Sequence, residues 1–437
     1  MKKIYILALL LSAWTSFAQE SRGPWTLEEC ISWAQEHNIR VRQAELAVRQ
    51  AEVELNTSES SRLPDLNASA GENFSFGRGL TYENTYANTN TTSSSFTIGS
   101  SVPVFNGMRI KHQILQNRLN LEAASADLDK MKDDIRLAVA QAYYQTLYNK
   151  EILGIALRQV ELDSLQIERL TEMEKAGKAS LVEVAQQKAS LGNSKLSATQ
   201  ARINLQESLL DLSQLLELPS PEGFDTVNHT PSDPSGILPS PEMIYADALG
   251  YRPAILAGET RLKAIDENLA ITKSYFYPSL SLSGGVGTNY YTTSGMNNGN
   301  FADQMKNNFS QYIGINLSVP IFNKFSTRNA VRSAELSRVN QELELENTRK
   351  SLYKEIQQAY YNAVAAYYRF ESSRTAFESA RESYELVKAK YENGKANITE
   401  YNEARAAWLE ADSNLSQARY EYLYQAGLLE FYRTPSK

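Results

Sequence analysis

Val102-Pro103-Val104-Phe105-Asn106 and Val319-Pro320-Ile321-Phe322-Asn323 are one motif written twice, 217 positions apart. At the same offset Ala142-Tyr143-Tyr144 returns as Ala359-Tyr360-Tyr361, Gly177-Lys178-Ala179 as Gly394-Lys395-Ala396, and Glu183 as Glu400. Upstream the offset is 214, with Pro64-Asp65-Leu66 answered by Pro278-Ser279-Leu280. Chance matches do not hold one register over about 70 residues, so the chain is an internal duplication. The change of offset falls between the two strand candidates of each half, where one loop is three residues longer.

The motif separates two kinds of sequence. On its N-terminal side the pattern has period 2. Ile313, Ile315, Leu317, Val319 and Ile321 alternate with Tyr312, Gly314, Asn316, Ser318 and Pro320, as do Phe96, Ile98, Val102 and Val104 with Thr97, Gly99, Ser101 and Pro103. Leu66, Ala68, Ala70, Phe74 and Phe76 follow Pro64 in the same way, and Leu280, Leu282 and Val286 follow Pro278. Period 2 predicts strands apolar on one face, and a Ser/Thr/Asn/Gly opposite face suits water better than a protein core. Segments of about 10 residues, apolar out and polar in, are the pattern of a membrane β-barrel. A soluble hairpin under a helix is the competing reading, and Glu72, in the apolar parity of the first strand, speaks for it. Gly284-Gly285-Val286-Gly287 lies inside a strand candidate, which points to close packing and away from a phosphate loop.

On its C-terminal side no proline occurs from Val104 to Leu218 or from Ile321 to Thr434, and Lys324 to Asn393 also lacks glycine. These spans are rich in good helix formers. A single helix over those 70 residues would be about 105 Å long, far beyond the ordinary globular helix. Val184, Leu191, Ala198, Leu205 and Leu212 recur every seven residues, matched by Tyr401, Trp408, Leu415, Tyr422 and Leu429. Such stripes predict helices packed side by side. Gly177 and Gly394 are the turns of two helical hairpins, and Asn106 and Asn323 stand as expected N-caps of the long helices. Tyr275-Phe276-Tyr277 would sit at the depth of a membrane interface.

The chain has 437 residues and a formal charge of −7. The acidic balance argues against a nucleic-acid partner. One Cys excludes an internal disulfide, and His37, His112 and His229 are too far apart in sequence to suggest a metal site. Cys30 reads as a small buried hydrophobe. Neither a nucleophile elbow, a His-Glu-x-x-His pair nor a phosphate loop is found, so no catalytic, cofactor or metal residue is assigned and an enzyme is not expected. Lys2 and Lys3, the apolar run Ile4 to Trp14 and Ser16-Phe17-Ala18 form an export signal, removal of which leaves a charge of about −9. The expected organisation is a signal peptide at 1–18, a first repeat at 19–218, a Pro/Ser-rich linker at 219–241 and a second repeat at 242–434. Each repeat would carry a helix, two strands and a long helical hairpin with its tip near 177 or 394. Four strands cannot close a barrel, and an open sheet cannot sit in lipid, so a membrane role requires several copies.

This organisation resembles the TolC-like outer-membrane factor family. The duplicated halves, the Val-Pro-x-Phe-Asn junctions and the segment Tyr391-Glu392-Asn393-Gly394-Lys395-Ala396-Asn397 carry the resemblance, which covers nearly the whole chain after the signal. It implies a mainly α fold with a membrane β-barrel contribution. In a homotrimer, four strands per chain would close a 12-stranded barrel in the Gram-negative outer membrane, above a long periplasmic coiled-coil α-barrel with the linker in an equatorial collar. It further implies a passive exit duct of a tripartite efflux or type I secretion system, working with a periplasmic adaptor and an inner-membrane transporter. By register with the family, Glu400 and Glu403 look like an acidic ring at the periplasmic gate, and Glu183 and Tyr391 like closed-state contacts. Gly177, Lys178, Ala179, Gly394, Lys395 and Ala396 look like the adaptor-binding tips. Ala396 stands where the family places a basic residue, which implies a closing network wired differently, through Lys178 or Lys395. The alternative is a soluble periplasmic coiled-coil adaptor or structural spacer, which needs the heptads but not the duplicated strand pairs.

Overall fold

The computed structural model describes residues 23–80, 84–227 and 239–434. The export signal and the central part of the linker lie outside the described residues. Both halves present the same series of major elements. The first half runs α1 (Leu27–His37), α2 (Ile39–Ser60), β1 (Asn67–Ser75), a small hairpin of β2 (Arg78–Leu80) and β3 (Tyr86–Asn88), β4 (Thr91–Phe105), α3 (Arg109–Lys175) and α4 (Leu181–Leu215). The second runs α5 (Pro241–Ala248), α6 (Pro253–Ser274), β5 (Ser279–Thr293), α7 (Phe301–Asn307), β6 (Ser310–Ser318), α8 (Ser326–Glu392) and α9 (Ile398–Arg433). The two long helices, α3 and α8, have 67 residues each. No described helix is long and apolar enough to cross a membrane.

The contacts divide the chain into two compact units that cut across the halves, since α3 and α8 each supply residues to both. Among the described residues, the first unit comprises 23–45, 127–227, 239–255 and 348–434. Its packing repeats the duplication. Ile135, Val139 and Leu212 anchor one buried cluster with Cys30, Ala34 and Val41, while Leu352, Ile356 and Leu429, their counterparts 217 positions on, anchor another with Ile244, Ala248 and Ile255. Cys30 is wholly buried, as its helical setting predicts, and burial pushes its thiol up to about 12. Helix α1 starts on a capping box in which Thr26 and Glu29 satisfy each other's backbone amides. The heptad stripes face inward: Val184, Ala198, Leu212, Tyr401, Leu415, Tyr422 and Leu429 are all buried.

The second unit comprises, among the described residues, 46–80, 84–126 and 256–347 and contains the sheet. Four antiparallel strands lie in the order β1-β4-β5-β6. The halves therefore meet at β4 and β5 in this sheet, and among the described residues the outer edges of β1 and β6 are unpaired. On β6, Ile313 is 86% exposed and Ile315 and Leu317 are exposed beside it, as is Tyr312 on the opposite parity. The glycines of β5 do mark close packing, since a Cβ on Gly285 would lie 2.7 Å from the Ile98 carbonyl and 2.9 Å from the Tyr312 ring.

The junctions correct the expected caps. Neither Asn106 nor Asn323 is the residue flanking its helix; α3 begins at Arg109 and α8 at Ser326. Two consecutive residues in the left-handed region intervene in each half: Gly107 and Met108 at φ 65° and 67°, and Lys324 and Phe325 at φ 55° and 62°. The Asn side chains bond beyond this turn, Asn106 Oδ1 accepting from the Ile110 amide at 3.5 Å and Asn323 donating to Thr327 Oγ1. At Gly107 a Cβ would meet the Ser274 carbonyl at 2.8 Å, so glycine is required there for space as well as conformation. The strands also differ. β4 runs through the motif to Phe105, with a bulge between Pro103 and Phe105, whereas β6 stops at Ser318. At its proline β4 is still paired with β5, Pro103 lying opposite Ser281, whereas the pairing of β6 with β5 ends at Ser318.

Candidate functional site

The hairpin tips in the first unit combine the residues singled out by the sequence. Each long helix ends in a Schellman turn. Gly177 and Gly394 both take φ 70°, the Lys178 amide donates to the Met173 carbonyl at 2.7 Å, and the Lys395 amide to that of Lys390 at 2.8 Å. Each following helix starts on a capping box, Ser180 with Glu183 and Asn397 with Glu400. The Ser180 amide donates to Glu183 Oε2 at 2.6 Å, and the Asn397 amide to Glu400 Oε2 at 3.2 Å. Both glutamates thus satisfy helix ends in their own chain, a role signalled by the Ser-x-x-Glu and Asn-x-x-Glu spacing. Glu400 and Glu403 lie exposed on the first turns of α9, with no ion pair among the described residues. Lys178 and Lys395 are exposed as well, while Ala179 and Ala396 are half-buried.

Tyr391, on the last turn of α8, faces the first hairpin. Its hydroxyl accepts from Gln166 Nε2 at 2.8 Å, its ring lies under Arg169 at 5.0 Å, and it stacks on Tyr401 at 4.9 Å. Burial raises the Tyr391 phenol above its ordinary range. Tyr391 and Glu183 are not hydrogen-bonded to each other within one chain; each has the partner just described.

Behind the tips lies a buried polar cluster that the sequence reading missed. Asp163 on α3 is fully buried and Arg405 on α9 is 2% exposed, and the two form an ion pair. The Asp163 carboxylate also accepts from Gln187 Nε2 at 2.8 Å, from Gln159 Nε2 at 2.9 Å and from the Ser194 hydroxyl. Asn402 Nδ2 donates to Gln187 Oε1 at 3.3 Å. Arg405 Nε and Nη1 are buried without a partner. An anion with four donors is stable when buried, whereas either charge left alone there is not. The pair therefore fixes how α9 sits on the first hairpin. No group of His, Cys, Asp or Glu able to hold a metal ion occurs among the described residues.

A family model described as outer membrane efflux protein matches residues 30–217 and 244–430. The chain belongs to the outer membrane efflux protein family. This sets aside the soluble adaptor or spacer reading and places the chain among efflux proteins, not enzymes. Pyoverdine export outer membrane protein OpmQ of Pseudomonas aeruginosa is 29% identical over 322 residues, 70% of this chain and 62% of that protein. Outer membrane protein TolC of Vibrio cholerae is 24% identical over 290 residues, 66% of this chain and 64% of the relative. The matches thus span somewhat under two thirds of those two relatives. Among solved structures, the CmeC outer membrane channel of Campylobacter jejuni superposes with a TM-score of 0.79 at 19% identity, over 93% of this chain and 85% of that one. The MtrE outer membrane channel of Neisseria gonorrhoeae, in its open state, gives 0.75 at 19% identity, over 94% and 89%. At these identities the likeness establishes the fold, that of the outer-membrane efflux channels.

Proposed function

We propose that three copies of this efflux family member assemble into an outer-membrane exit duct for an efflux or type I secretion system. The observation that carries the reading is the open sheet. Four strands with an apolar, exposed face leave the edges of β1 and β6 unpaired, and lipid tolerates no unpaired edge. Joining β6 of one copy to β1 of the next satisfies every edge, and three copies give a 12-stranded barrel. Exposed apolar residues at heptad spacing support assembly, Ile39, Leu46 and Val53 on α2 and Leu336 and Leu343 on α8. The repeats at 19–218 and 242–434 would each supply one strand pair and one helical hairpin, joined by the linker at 219–241 in an equatorial collar. The duct would be passive, taking its cargo from an inner-membrane transporter through a periplasmic adaptor.

At the periplasmic end Glu400 and Glu403, exposed and without ion pairs, form the proposed acidic ring, which favours cations. Tyr391 and Glu183 contribute to the closed state, and the surfaces around Gly177-Lys178-Ala179 and Gly394-Lys395-Ala396 receive the adaptor. Purified protein should migrate as a heat-modifiable trimer, fractionate with outer membrane and conduct in planar bilayers. A monomer that leaves no conductance in any bilayer refutes the duct. Replacing Glu400 and Glu403 with Ala should lower cation selectivity, and unchanged selectivity removes the ring. Reversing the charge of Lys178 and Lys395 should weaken adaptor cross-linking; unaltered cross-linking counts against the tip surfaces.

A further inference from the structure

Building on the channel reading, we propose that the strand-to-helix junctions carry a basic collar that binds the anionic phospholipid headgroups of the leaflet on the helix side of the sheet. The chain as a whole is acidic, with 51 Asp and Glu against 44 Lys and Arg. Yet no Asp or Glu stands between Glu83 and Glu122, nor between Asp303 and Glu335, and these two stretches contain the junctions. Around them Arg62, Lys111, Lys273, Lys324, Arg328 and Arg332 are all exposed. Four of these lie within about six residues of a strand end, and Arg328 and Arg332 follow on one face of α8.

None of the six forms an ion pair among the described residues. Further along the same helices the cations are paired: Arg118 with Glu59 at 3.6 Å, and Arg338 with Asp266 at 2.6 Å and with Glu342 at 2.7 Å. Helix dipoles favour acids at helix starts, and Glu183 and Glu400 stand there in α4 and α9, whereas α2 and α6 start without one. The first turns of α3 and α8 carry no acid. Lys111 and Arg328 stand in those first turns against the local dipole, while Lys273 in the last turn of α6 is favoured by it; an anion from outside the chain would partner them all.

The depth of these cations selects the occupant. Tyr275, Phe276, Tyr277, Phe322 and Phe325 are exposed at the same junctions, a set that favours the boundary between hydrocarbon and headgroups. The headgroup layer extends about 5–8 Å beyond the hydrocarbon on each side. Lys and Arg stems reach that far while keeping their charge in the phosphate layer. The surface is continuous with the lipid-facing strands, so its partner is the layer those strands cross. Clusters of cations beside a membrane segment bind anionic lipid in this way.

The full-length protein is reconstituted into nanodiscs of phosphatidylethanolamine containing a minor fraction of phosphatidylglycerol, and the lipid retained on extraction is counted by native mass spectrometry. Wild type should hold phosphatidylglycerol about fivefold above its bulk fraction, roughly the worth of one cation at an anionic surface, and less at high salt. Lys324→Gln/Arg328→Gln/Arg332→Gln, at exposed unpaired positions, should bring retention to the bulk fraction with unit conductance unchanged. Lys188→Gln/Lys195→Gln, on exposed residues of α4, should leave it as in wild type. Equal retention in wild type and the triple variant overturns the collar. So does a variant that shifts the reversal potential with retention unchanged, because the cations then line the bore. Wild type that retains the lipid but conducts nothing defeats the duct and leaves the collar standing.

Discussion

The two helical hairpins end in the same turn but differ in the seam behind it. At the tips the copies agree atom for atom in kind: a left-handed glycine, a Schellman pair and a capping box. Behind the tips, Gln159, Asp163, Gln187 and Ser194 of the first hairpin correspond to Ala376, Ala380, Ala404 and Ala411 of the second. Conversely, Tyr384, Tyr401 and Trp408 of the second correspond to Ile167, Val184 and Leu191 of the first. Tyr384 stacks on Trp408 at 5.0 Å and 7°, and its hydroxyl lies 3.3 Å from that of Tyr401. The backbone-setting residues were kept in both copies, while the side chains deciding how the hairpins meet diverged. Divergence is what allows a charge pair: two identical hairpins would both have presented the acid.

The sharpest way to break the comparison is to remove one half of that pair. Arg405→Ala or Asp163→Ala should cost about 3–5 kcal/mol in chemical unfolding, because a lone charge stays buried. The apolar double variant Asp163→Leu/Arg405→Met should recover most of it. A double variant as unstable as the singles would mean the site needs polarity rather than charge balance. Making the second seam like the first, with Tyr384→Ile and Trp408→Leu, should cost about 1–1.5 kcal/mol beyond lost area, the worth of a stacked aromatic pair.

Where the copies agree, equal effects are expected. Gly177→Ala and Gly394→Ala should each cost about 1 kcal/mol, since both glycines sit at positive φ with nothing near enough to a Cβ to clash. Glu183→Ala and Glu400→Ala should each cost about 0.5 kcal/mol through the capping box. A marked inequality within either pair would show that one tip is doing something besides turning the chain.

The smallest effect is one of pH. Burial raises the phenols of Tyr384 and Tyr391 in the second hairpin. A folded pKa above the unfolded one gives stability that is whole below the ordinary phenol range, near 10, and is lost as pH rises through the raised value. Amide exchange in alkali should therefore quicken in α8 and α9 near the tip before it does at the matching positions of α3 and α4. Simultaneous loss in both hairpins would discount the tyrosines.

Much of this was legible in the sequence because it is local or periodic. The duplication, the strands and the glycine turns follow from repeats, parity and backbone freedom. The consecutive left-handed residues were hidden because Met108, Lys324 and Phe325 carry no local signal for positive φ; the surrounding packing imposes it. Helix α7 and the β2–β3 hairpin sit inside stretches whose Asn, Thr and Gly content reads as loop. Asp163 and Arg405 lie 242 positions apart, so no spacing rule joins them. The one available signal was the mismatch between Asp163 and Ala380, an acid in one copy where the other has a small apolar residue.

The pairing of β4 with β5 has a consequence for how the chain is made. Among the described residues it is the link between the halves within the sheet, and it joins Phe105 to Leu280 and Thr91 to Thr293. Closing a loop of that length costs about 4.6 kcal/mol in chain entropy beyond the constant term, and the second half must already have been made as far as Thr293. The helical hairpins, built from near neighbours, can form as soon as each is synthesised. The sheet comes last. Until it does, β4 has a free edge, and an unpaired edge is a template for pairing with another chain.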